Sequence, residues 1–351
     1  RPVFARGRTL VPMTQGAALG ASYASATKPL LFVLVVGETA RADHFGINGY
    51  GRDTTPELAR RGVMSWREVR SCGTSTLASL PCMFSPLGKS AFEARDNEYE
   101  NLLDVAQAAG LAVLWLDNQS GCKGVCERVP HANAADGLGA QERNRLCDGG
   151  ECRDEAMLQG LDERLAAMPE GQRQRGVLLV LHQMGSHGPA YYKRSADGAK
   201  RFLPECRTEV LANCAHGELV NAYDNSIAAT DAFLGQTIAW LQGQSARYDT
   251  GLLYLSDHGE SLGEYGLFLH GMPYAMAPDV QKHVPMVAWL DGGLLRRGRL
   301  SSSCLSAGTD APLTHDNLYH SMLGLLDVQS PSYRHSLDAF DGCRGVNRVG
   351  G

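Results

Sequence analysis

Short apolar segments recur along the chain between longer polar stretches, and each has the length of a β-strand. The clearest lie at residues 30–36, 111–116, 177–181, 251–255 and 284–290, and residues 63–70 form a weaker one. The first reads LLFVLVV and shows no alternation of polar and apolar positions. A run of this kind is typical of a strand that is buried on both faces of a parallel sheet.

Apolar residues at helical spacing fill the intervals between these segments. The spacing predicts helices over residues 97–110, 154–168, 218–241 and 315–326, with two further helices beginning near residues 55 and 73 and a loop-rich stretch at 121–152. Strands that alternate with helices predict an α/β protein: a three-layer α/β/α sandwich around a mainly parallel sheet. We expect residues 1–28 to be a linker or peripheral segment, residues 29–351 to form one catalytic domain, and residues 191–214 to be an inserted surface loop.

Polar residues directly follow two of the predicted strands. Glu38 comes after the first strand, and Asp257 and His258 follow the strand at residues 251–255. Parallel sheets bind ligands at the carboxyl ends of their strands, and carboxylate oxygen with imidazole nitrogen suits zinc. The positions of these three residues predict one metal ion. His270 lies on the same glycine-rich loop as Asp257 and His258 and could also reach the ion. The alternative is a helix cap at Asp257 with incidental histidines.

The stretch CGTSTLASLPC, residues 72–82, places three hydroxyl groups at the start of a predicted helix. A helix N-terminus favours an anion, so Thr74, Ser75 or Thr76 is suitably placed to attack phosphorus. A hydroxyl becomes a good nucleophile only when a metal or a base lowers its pKa. The alternative is that all three are ordinary helix caps.

Two further strand ends carry polar side chains. In DNQSGCKGVC, residues 117–126, Lys123 could balance phosphate charge, and Asn118 or Gln119 could donate hydrogen bonds. The alternative is a solvated lysine on a disulfide loop. HQMGSHGP follows another strand, and we expect His187 to reach the site and His182, nearer the strand, to be a core histidine.

Ten cysteines, most of them in close sequence pairs, predict disulfides rather than free thiols or a zinc cluster, because no pair has the C-x2-C spacing of zinc ribbons. Such a set implies an oxidising compartment such as the periplasm. The expected pairs are Cys72–Cys82, Cys122–Cys126, Cys147–Cys152, Cys206–Cys214 and Cys304–Cys343.

The net charge of −5 argues against a nucleic-acid partner. No window has the ~18 apolar residues of a membrane helix, and the N-terminus, which has no signal peptide, resembles that of a processed or truncated chain.

Four stretches taken together resemble a known family. They are GETARADHFGINGYGRDTTP, SCGTSTLASLPCMFSP, DNQSGCKGVC and SDHGESLGEYGLFLHGMPYAMAP. In this order they resemble the lipid A phosphoethanolamine transferases of Gram-negative bacteria, including the mobile colistin-resistance enzymes, within the alkaline phosphatase superfamily. The resemblance spans nearly the whole chain.

The resemblance implies roles for individual residues. It implies that Glu38, Asp257 and His258 bind one zinc ion tightly and that Thr76 is both the nucleophile and the fourth ligand. Lys123, His187 and His270 match residues around the phosphate group, and the two histidines match residues that can hold a second zinc. Gln119, with Asn118 beside it, lies near a polar position that the family uses for phosphoethanolamine.

The resemblance also implies the reaction. Phosphoethanolamine would pass from phosphatidylethanolamine, through a covalent ester on Thr76, to lipid A, and the product would confer polymyxin and colistin resistance. The chain would be the soluble, monomeric periplasmic domain of an enzyme whose anchor in the inner membrane is absent here. The open alternatives are transfer to another envelope glycan, a phosphodiesterase- or sulfatase-like hydrolase, and a zinc-stabilised binding module without catalysis. SLPCMFSP lacks the C/S-x-P-x-R motif of sulfatases.

Overall fold

An eight-stranded sheet forms the centre of the computed structural model, which describes residues 8–345. In spatial order the sheet reads β8-β2-β7-β6-β1-β5-β3-β4. Numbered along the chain, its strands are β1 Leu30–Gly37, β2 Met64–Arg70, β3 Ala112–Asp117, β4 His131–Asn133, β5 Gly176–His182, β6 Asp249–Ser256, β7 His283–Leu290 and β8 Leu313–Thr314.

The sheet is mainly parallel, as predicted. Strand β1 pairs in parallel with β5 and β6, and parallel pairing continues through β3 to β4. Strand β7 is the exception, because it runs antiparallel to both β6 and β2. Two reversals in succession leave β2 pointing the same way as β1 and β6. The carboxyl ends of these three strands therefore share one edge of the sheet.

Helices cover both faces of the sheet and complete the predicted three layers. Alternate residues of β1 point to opposite sides. Phe32 packs in the apolar cluster with the helices Leu102–Ala109 and Asp316–Leu326, and Val33 packs in the cluster with the helix His216–Gln244. The helices are α1 Ser22–Ser25, α2 Pro56–Arg60, α3 Thr76–Met83, α4 Lys89–Glu93, α5 Leu102–Ala109, α6 Ala140–Leu146, α7 Leu161–Ala167, α8 Glu170–Arg173, α9 His216–Gln244, α10 Gly292–Gly298, α11 Ser302–Ala307 and α12 Asp316–Leu326. None of the helices within residues 8–345 is both long enough and apolar enough to pass through a bilayer.

Three predicted elements differ from the structure. The helix expected over residues 154–168 is a 3-10 helix, Asp154–Leu158, followed by α7, because Gly160 adopts a φ of 70° between them. The helix expected from residue 97 begins at Leu102, because Asn101 and Asp104 form a capping box. The stretch 121–152, expected to be a loop, contains β4, α6 and a short hairpin.

All five disulfides form in the predicted pairing. The Cys72–Cys82 disulfide joins the segment after β2 to the body of α3, and its half-cystines are buried. This disulfide therefore restrains both ends of the stretch that contains Thr76.

The segments named in the domain prediction contain short elements of secondary structure. Within residues 8–28, Leu10–Val11 pairs with Glu98–Tyr99, and Ala18–Leu19 pairs with Val328–Gln329. Residues 1–7 and 346–351 lie outside the described part of the chain. Residues 191–214 contain three short 3-10 helices and the Cys206–Cys214 disulfide, and lead into α9.

Candidate active site

Four buried side chains meet at the edge where β1, β2 and β6 end. Glu38 follows β1, Asp257 and His258 follow β6, and Thr76 is the first residue of α3, which begins soon after β2. The common direction of the three strands brings together residues that are as far apart in the sequence as 38 and 258. The structure thus juxtaposes the four side chains that the resemblance implies as zinc ligands.

The hydroxyl of Thr76 lies between two carboxylates. Its Oγ1 is 2.9 and 3.0 Å from the two carboxylate oxygens of Glu38 and 2.7 Å from Oδ2 of Asp257. A hydroxyl has one hydrogen to donate, so it can satisfy only one of these three acceptors at a time. The cluster therefore has more acceptor oxygens than donors, which is the arrangement that a bound cation would complete.

The imidazole of His258 is oriented like that of a metal ligand. Its Nδ1 lies 2.7 Å from the carbonyl oxygen of Gly259, which fixes the proton on Nδ1 in the neutral ring. Its Nε2 is 3.3 Å from Oε1 of Glu38 and 3.5 Å from Oδ1 of Asp257, yet it makes no aligned hydrogen bond and is fully buried. The unpartnered nitrogen thus faces the two carboxylates.

The pKa values show the same deficit of positive charge. Burial, and then the charge of Glu38, raise the pKa of Asp257 to about 7. Burial would lower the pKa of His258, but the charges of Asp257 and Glu38 raise it to about 10. Burial would likewise raise the pKa of Glu38, but the neighbouring rings of His187 and His258 hold it well below its usual range. The two buried carboxylates thus favour positive charge close to them.

The residues present fit a zinc ion. Ligand atoms of Glu38, Asp257 and His258 all lie within 4.8 Å of one another, and Oγ1 of Thr76 adds a fourth donor. Two carboxylates, one imidazole and one hydroxyl are donors that zinc accepts in a closed, buried site.

Thr39, which the sequence analysis did not single out, orients both carboxylates. Its backbone N–H donates to Oδ1 of Asp257 over 3.1 Å, and its hydroxyl donates to Oε1 of Glu38 over 2.9 Å. This geometry requires a φ of 61°, which is uncommon for a β-branched residue. The only signal in the sequence is the position of Thr39 directly after Glu38.

The two predicted histidines lie beside the cluster. Nδ1 of His187 is 3.4 Å from Oε1 of Glu38, and this contact raises the pKa of His187. The ring of His270 lies 4.1 Å from the ring of His258, between centroids. Both histidines are partly exposed, so they border the opening of the site.

Two buried carboxylates that the sequence analysis did not assign hold these histidines in place. Glu260 accepts from Tyr191 and lies 2.8 Å from Nδ1 of His270. Asp154 accepts backbone N–H groups of residues 184 and 185, which fixes the turn before His187. Glu260 lies within the SDHGES motif, which is a local signal. Asp154 has none, because its partners are distant in the sequence.

The predicted substrate-binding residues lie on a neighbouring loop. Lys123 lines a cavity of about 960 Å³ that also borders Leu77 and Ala78 of α3, and its Nζ donates to Ser120. The amide of Asn118 is buried and donates to Cys152 and Asp154. The side chain of Gln119 accepts hydrogen bonds from Ser120. Of these three residues, only Lys123 lines the cavity.

The two remaining histidines near the site are internal. His182 is fully buried, and its Nδ1 lies 2.7 Å from Oδ1 of Asp117. His315 links the segment before α3 to β6. Its Nδ1 accepts from the N–H of Cys72 and its Nε2 donates to the carbonyl of Ser256, both over 2.9 Å. Both ring nitrogens of His315 are thus used by the neutral ring.

His315 makes folding stability depend on pH. Burial lowers its pKa to about 4, below the value of about 6.5 expected in the unfolded chain. Below pH ~6.5 the unfolded chain binds a proton that the folded protein does not, so stability falls as the pH drops towards ~4, by about 3 kcal/mol in total. Urea midpoints measured across this range should show the loss.

His315→Asn is the matched control, because Asn can still accept from Cys72. We expect a lower stability near neutral pH and a flatter pH profile, so that the two proteins converge towards pH ~4. Parallel profiles for the two proteins would contradict a neutral, buried His315.

Comparisons with known proteins agree with the fold. The family model described as Sulfatase matches residues 31–328, and the architecture is that of the alkaline phosphatase superfamily. The chain is 47% identical over 306 residues to the phosphatidylethanolamine transferase Mcr-1 of Escherichia coli, covering 86% of this chain and 54% of that protein. It is 43% identical over 320 residues to the phosphoethanolamine transferase EptA of Salmonella typhimurium, covering 90% of this chain and 57% of that protein.

A solved structure matches almost end to end. It is the soluble domain of lipooligosaccharide phosphoethanolamine transferase A from Neisseria meningitidis, which superposes with a TM-score of 0.88 at 39% identity and covers 95% of this chain and 98% of that one. The chain therefore belongs to the phosphoethanolamine transferase family within the alkaline phosphatase superfamily. It spans about half the length of the curated relatives that it matches.

Proposed function

We propose that this chain is the catalytic domain of a zinc-dependent phosphoethanolamine transferase, which moves the headgroup of phosphatidylethanolamine to lipid A through a covalent ester on Thr76. The observation that carries the proposal is the position of Thr76 Oγ1, within 3.0 Å of both Glu38 and Asp257 at the start of a helix. The names of the relatives support the transferred group, and one name supports a lipooligosaccharide acceptor.

Glu38, Thr76, Asp257 and His258 would hold the zinc ion. When bound, zinc would stabilise negative charge on the Thr76 oxygen and on the phosphoryl oxygens. The partly exposed rings of His187 and His270, whose centroids are 6.4 Å apart, leave room for a second ion at the opening.

The first half-reaction exchanges one phosphorus–oxygen bond for another. The Thr76 oxygen attacks phosphorus, and the bond from phosphorus to the diacylglycerol oxygen breaks. The nearest acceptor for the hydroxyl proton is Oδ2 of Asp257, at 2.7 Å. A protonated His187 or His270 donates a proton to the departing diacylglycerol oxygen, since a histidine is suited to this near neutral pH.

The second half-reaction reverses the roles. A phosphate oxygen of lipid A attacks the phosphorus, the bond to Thr76 breaks, and Thr76 regains its proton. Lys123 would balance charge on the incoming phosphate from the adjoining cavity, with Asn118 and Gln119 shaping the loop that presents it. The product gains an amine, which would weaken the binding of cationic peptides such as polymyxins and colistin.

The proposed location follows from the substrates. The domain would work as a monomer on the periplasmic side of the inner membrane, where five disulfides are compatible with the oxidising conditions. A membrane anchor would belong to the part of the relatives that this chain does not match.

Mass spectrometry of the Thr76 peptide tests the covalent step. After incubation of the zinc-loaded chain with phosphatidylethanolamine, we expect the peptide to gain the mass of phosphoethanolamine and to lose it when lipid A is added. Ser75→Ala is the matched control, because it removes the neighbouring hydroxyl and should leave the label in place. Transfer to lipid A with no label at any time would contradict the covalent mechanism, and release of free phosphoethanolamine alone would indicate a hydrolase.

A further inference from the structure

A carboxylate that takes no part in the proposed reaction joins two loops beside the active site. Asp154 begins a short 3-10 helix, and each of its carboxylate oxygens accepts two hydrogen bonds. Oδ1 accepts from the backbone N–H of Met184 over 2.8 Å and from the side-chain amide of Asn118 over 2.9 Å. Oδ2 accepts from the backbone N–H of Gly185 over 3.0 Å and from the side-chain amide of Gln183 over 3.2 Å. All four donors belong to the segments that directly follow β3 and β5.

The turn at residues 183–187 is also bonded to the backbone of Glu38. The N–H of Ser186 donates to the carbonyl of Glu38 over 3.0 Å. Gly185 has a φ of 55°, and a Cβ atom added there would lie 2.7 Å from the same carbonyl oxygen, so the turn packs directly against Glu38. The position of the turn is therefore restrained both by the carboxylate of Asp154 and by the backbone of Glu38.

These two restraints set where the imidazole of His187 lies. Its Nδ1 is 3.4 Å from Oε1 of Glu38, whose carboxylate also contacts the hydroxyl of Thr76. Its Nε2 makes no hydrogen bond within residues 8–345, and 34% of the side chain is exposed. Nε2 is therefore the nitrogen that can reach a molecule bound at the opening of the site.

We propose that Asp154 is a positioning residue for the transfer reaction. By holding the turn at residues 183–187, it places Nε2 of His187 where its proton passes to the diacylglycerol oxygen as the bond from phosphorus to that oxygen breaks. Such placement matters because a displacement of about 1 Å can cost about 100-fold in rate. The inference rests on the proposed function, and it assigns the proton donation of the first half-reaction to His187 rather than to His270.

Two donors that differ in the departing oxygen test the inference. Short-chain phosphatidylethanolamine releases a diacylglycerol oxygen, which must take up a proton as it leaves. In p-nitrophenyl phosphoethanolamine the departing group is nitrophenolate, which is a stable anion and leaves without a proton. With both donors the Thr76 oxygen forms the new bond to phosphorus. The zinc-loaded 351-residue chain is incubated with each donor, and the rate at which the Thr76 peptide gains phosphoethanolamine is measured by mass spectrometry.

We expect Asp154→Asn to slow labelling by the lipid donor about tenfold or more and to leave labelling by the nitrophenyl donor close to the wild-type rate. Asparagine has the size of aspartate but turns an NH2 group towards two of the four donors, so the turn loses part of its restraint. Gln183→Met removes a single donor and should slow only the lipid reaction, by about threefold. Glu155→Gln is the matched control, because the adjacent carboxylate pairs with Arg153, and this variant should label like wild type with both donors.

A double variant shows whether Asp154 acts through His187. His187→Gln should slow labelling by the lipid donor, and the addition of Asp154→Asn should slow it no further, because the position of the turn no longer matters once the imidazole is absent. Unchanged labelling by Asp154→Asn, equal slowing with both donors, or effects that multiply in the double variant would each overturn the inference and leave the labelling of Thr76, and so the proposed function, intact. Wild type that neither donor labels would overturn the proposed function, and the inference with it.

Discussion

Replacing Thr76 by alanine is expected to lower the rate of phosphoethanolamine transfer by about 10³-fold or more, as removal of a nucleophile does in other enzymes. The expectation follows from the position of Oγ1, which is the one hydroxyl within hydrogen-bond distance of both Glu38 and Asp257 in the described residues. The measurement is the formation of phosphoethanolamine-modified lipid A by mass spectrometry, under single-turnover conditions.

The same variant should still bind zinc. Glu38, Asp257 and His258 remain, and their ligand atoms stay within 4.8 Å of one another, so the metal content of purified Thr76→Ala should stay close to one ion per chain. Thr76→Ser is the conservative control and should keep measurable transfer. Transfer by Thr76→Ala at the wild-type rate would exclude a covalent step on this residue.

Replacing Asp257 by asparagine should abolish zinc-dependent activity while leaving the metal-free fold at least as stable as wild type. Asp257 is fully buried and shares the Thr76 hydroxyl with Glu38, so the negative charges of the two carboxylates oppose each other. Asparagine removes one negative charge, keeps an oxygen for Thr39 and is nearly the same size. We expect the affinity for zinc to fall by a factor of 100 or more, since even changes in outer-shell partners cost about 10- to 100-fold.

Two measurements separate these effects. Thermal unfolding after chelation should give Asp257→Asn a midpoint equal to or above that of wild type. Addition of zinc should raise the midpoint of wild type only, because a ligand stabilises a fold in proportion to its binding. A chelated variant that is clearly less stable than chelated wild type would show that the carboxylate serves the fold rather than the metal.

Much of the site could be predicted because the end of a buried strand is a local feature of the sequence. Glu38 and Asp257 each follow an unbroken apolar run, and parallel strands bring such positions to one edge. The close spacing of the cysteines likewise allowed four of the five pairs to be predicted, and the fifth, Cys304–Cys343, joins the two cysteines that remain.

The rest depends on contacts between distant residues. The antiparallel direction of β7 leaves no trace in its own composition, because a strand buried on both faces reads the same in either direction. Asp154 was placed at the start of a helix, but nothing local shows that its carboxylate accepts hydrogen bonds from the turn before His187. The φ of 61° at Thr39 is likewise imposed by Asp257 from across the sheet edge, and no local pattern encodes it.

The disulfide between Cys72 and Cys82 closes a ring that contains Thr76, the proposed nucleophile. The proposed catalysis therefore depends on oxidative folding. In a reducing environment this disulfide would not form. Packing alone would then have to hold the Thr76 hydroxyl between Glu38 and Asp257. Under the proposed mechanism, Thr76 would therefore become reactive only where thiols are oxidised, as they are in the periplasm.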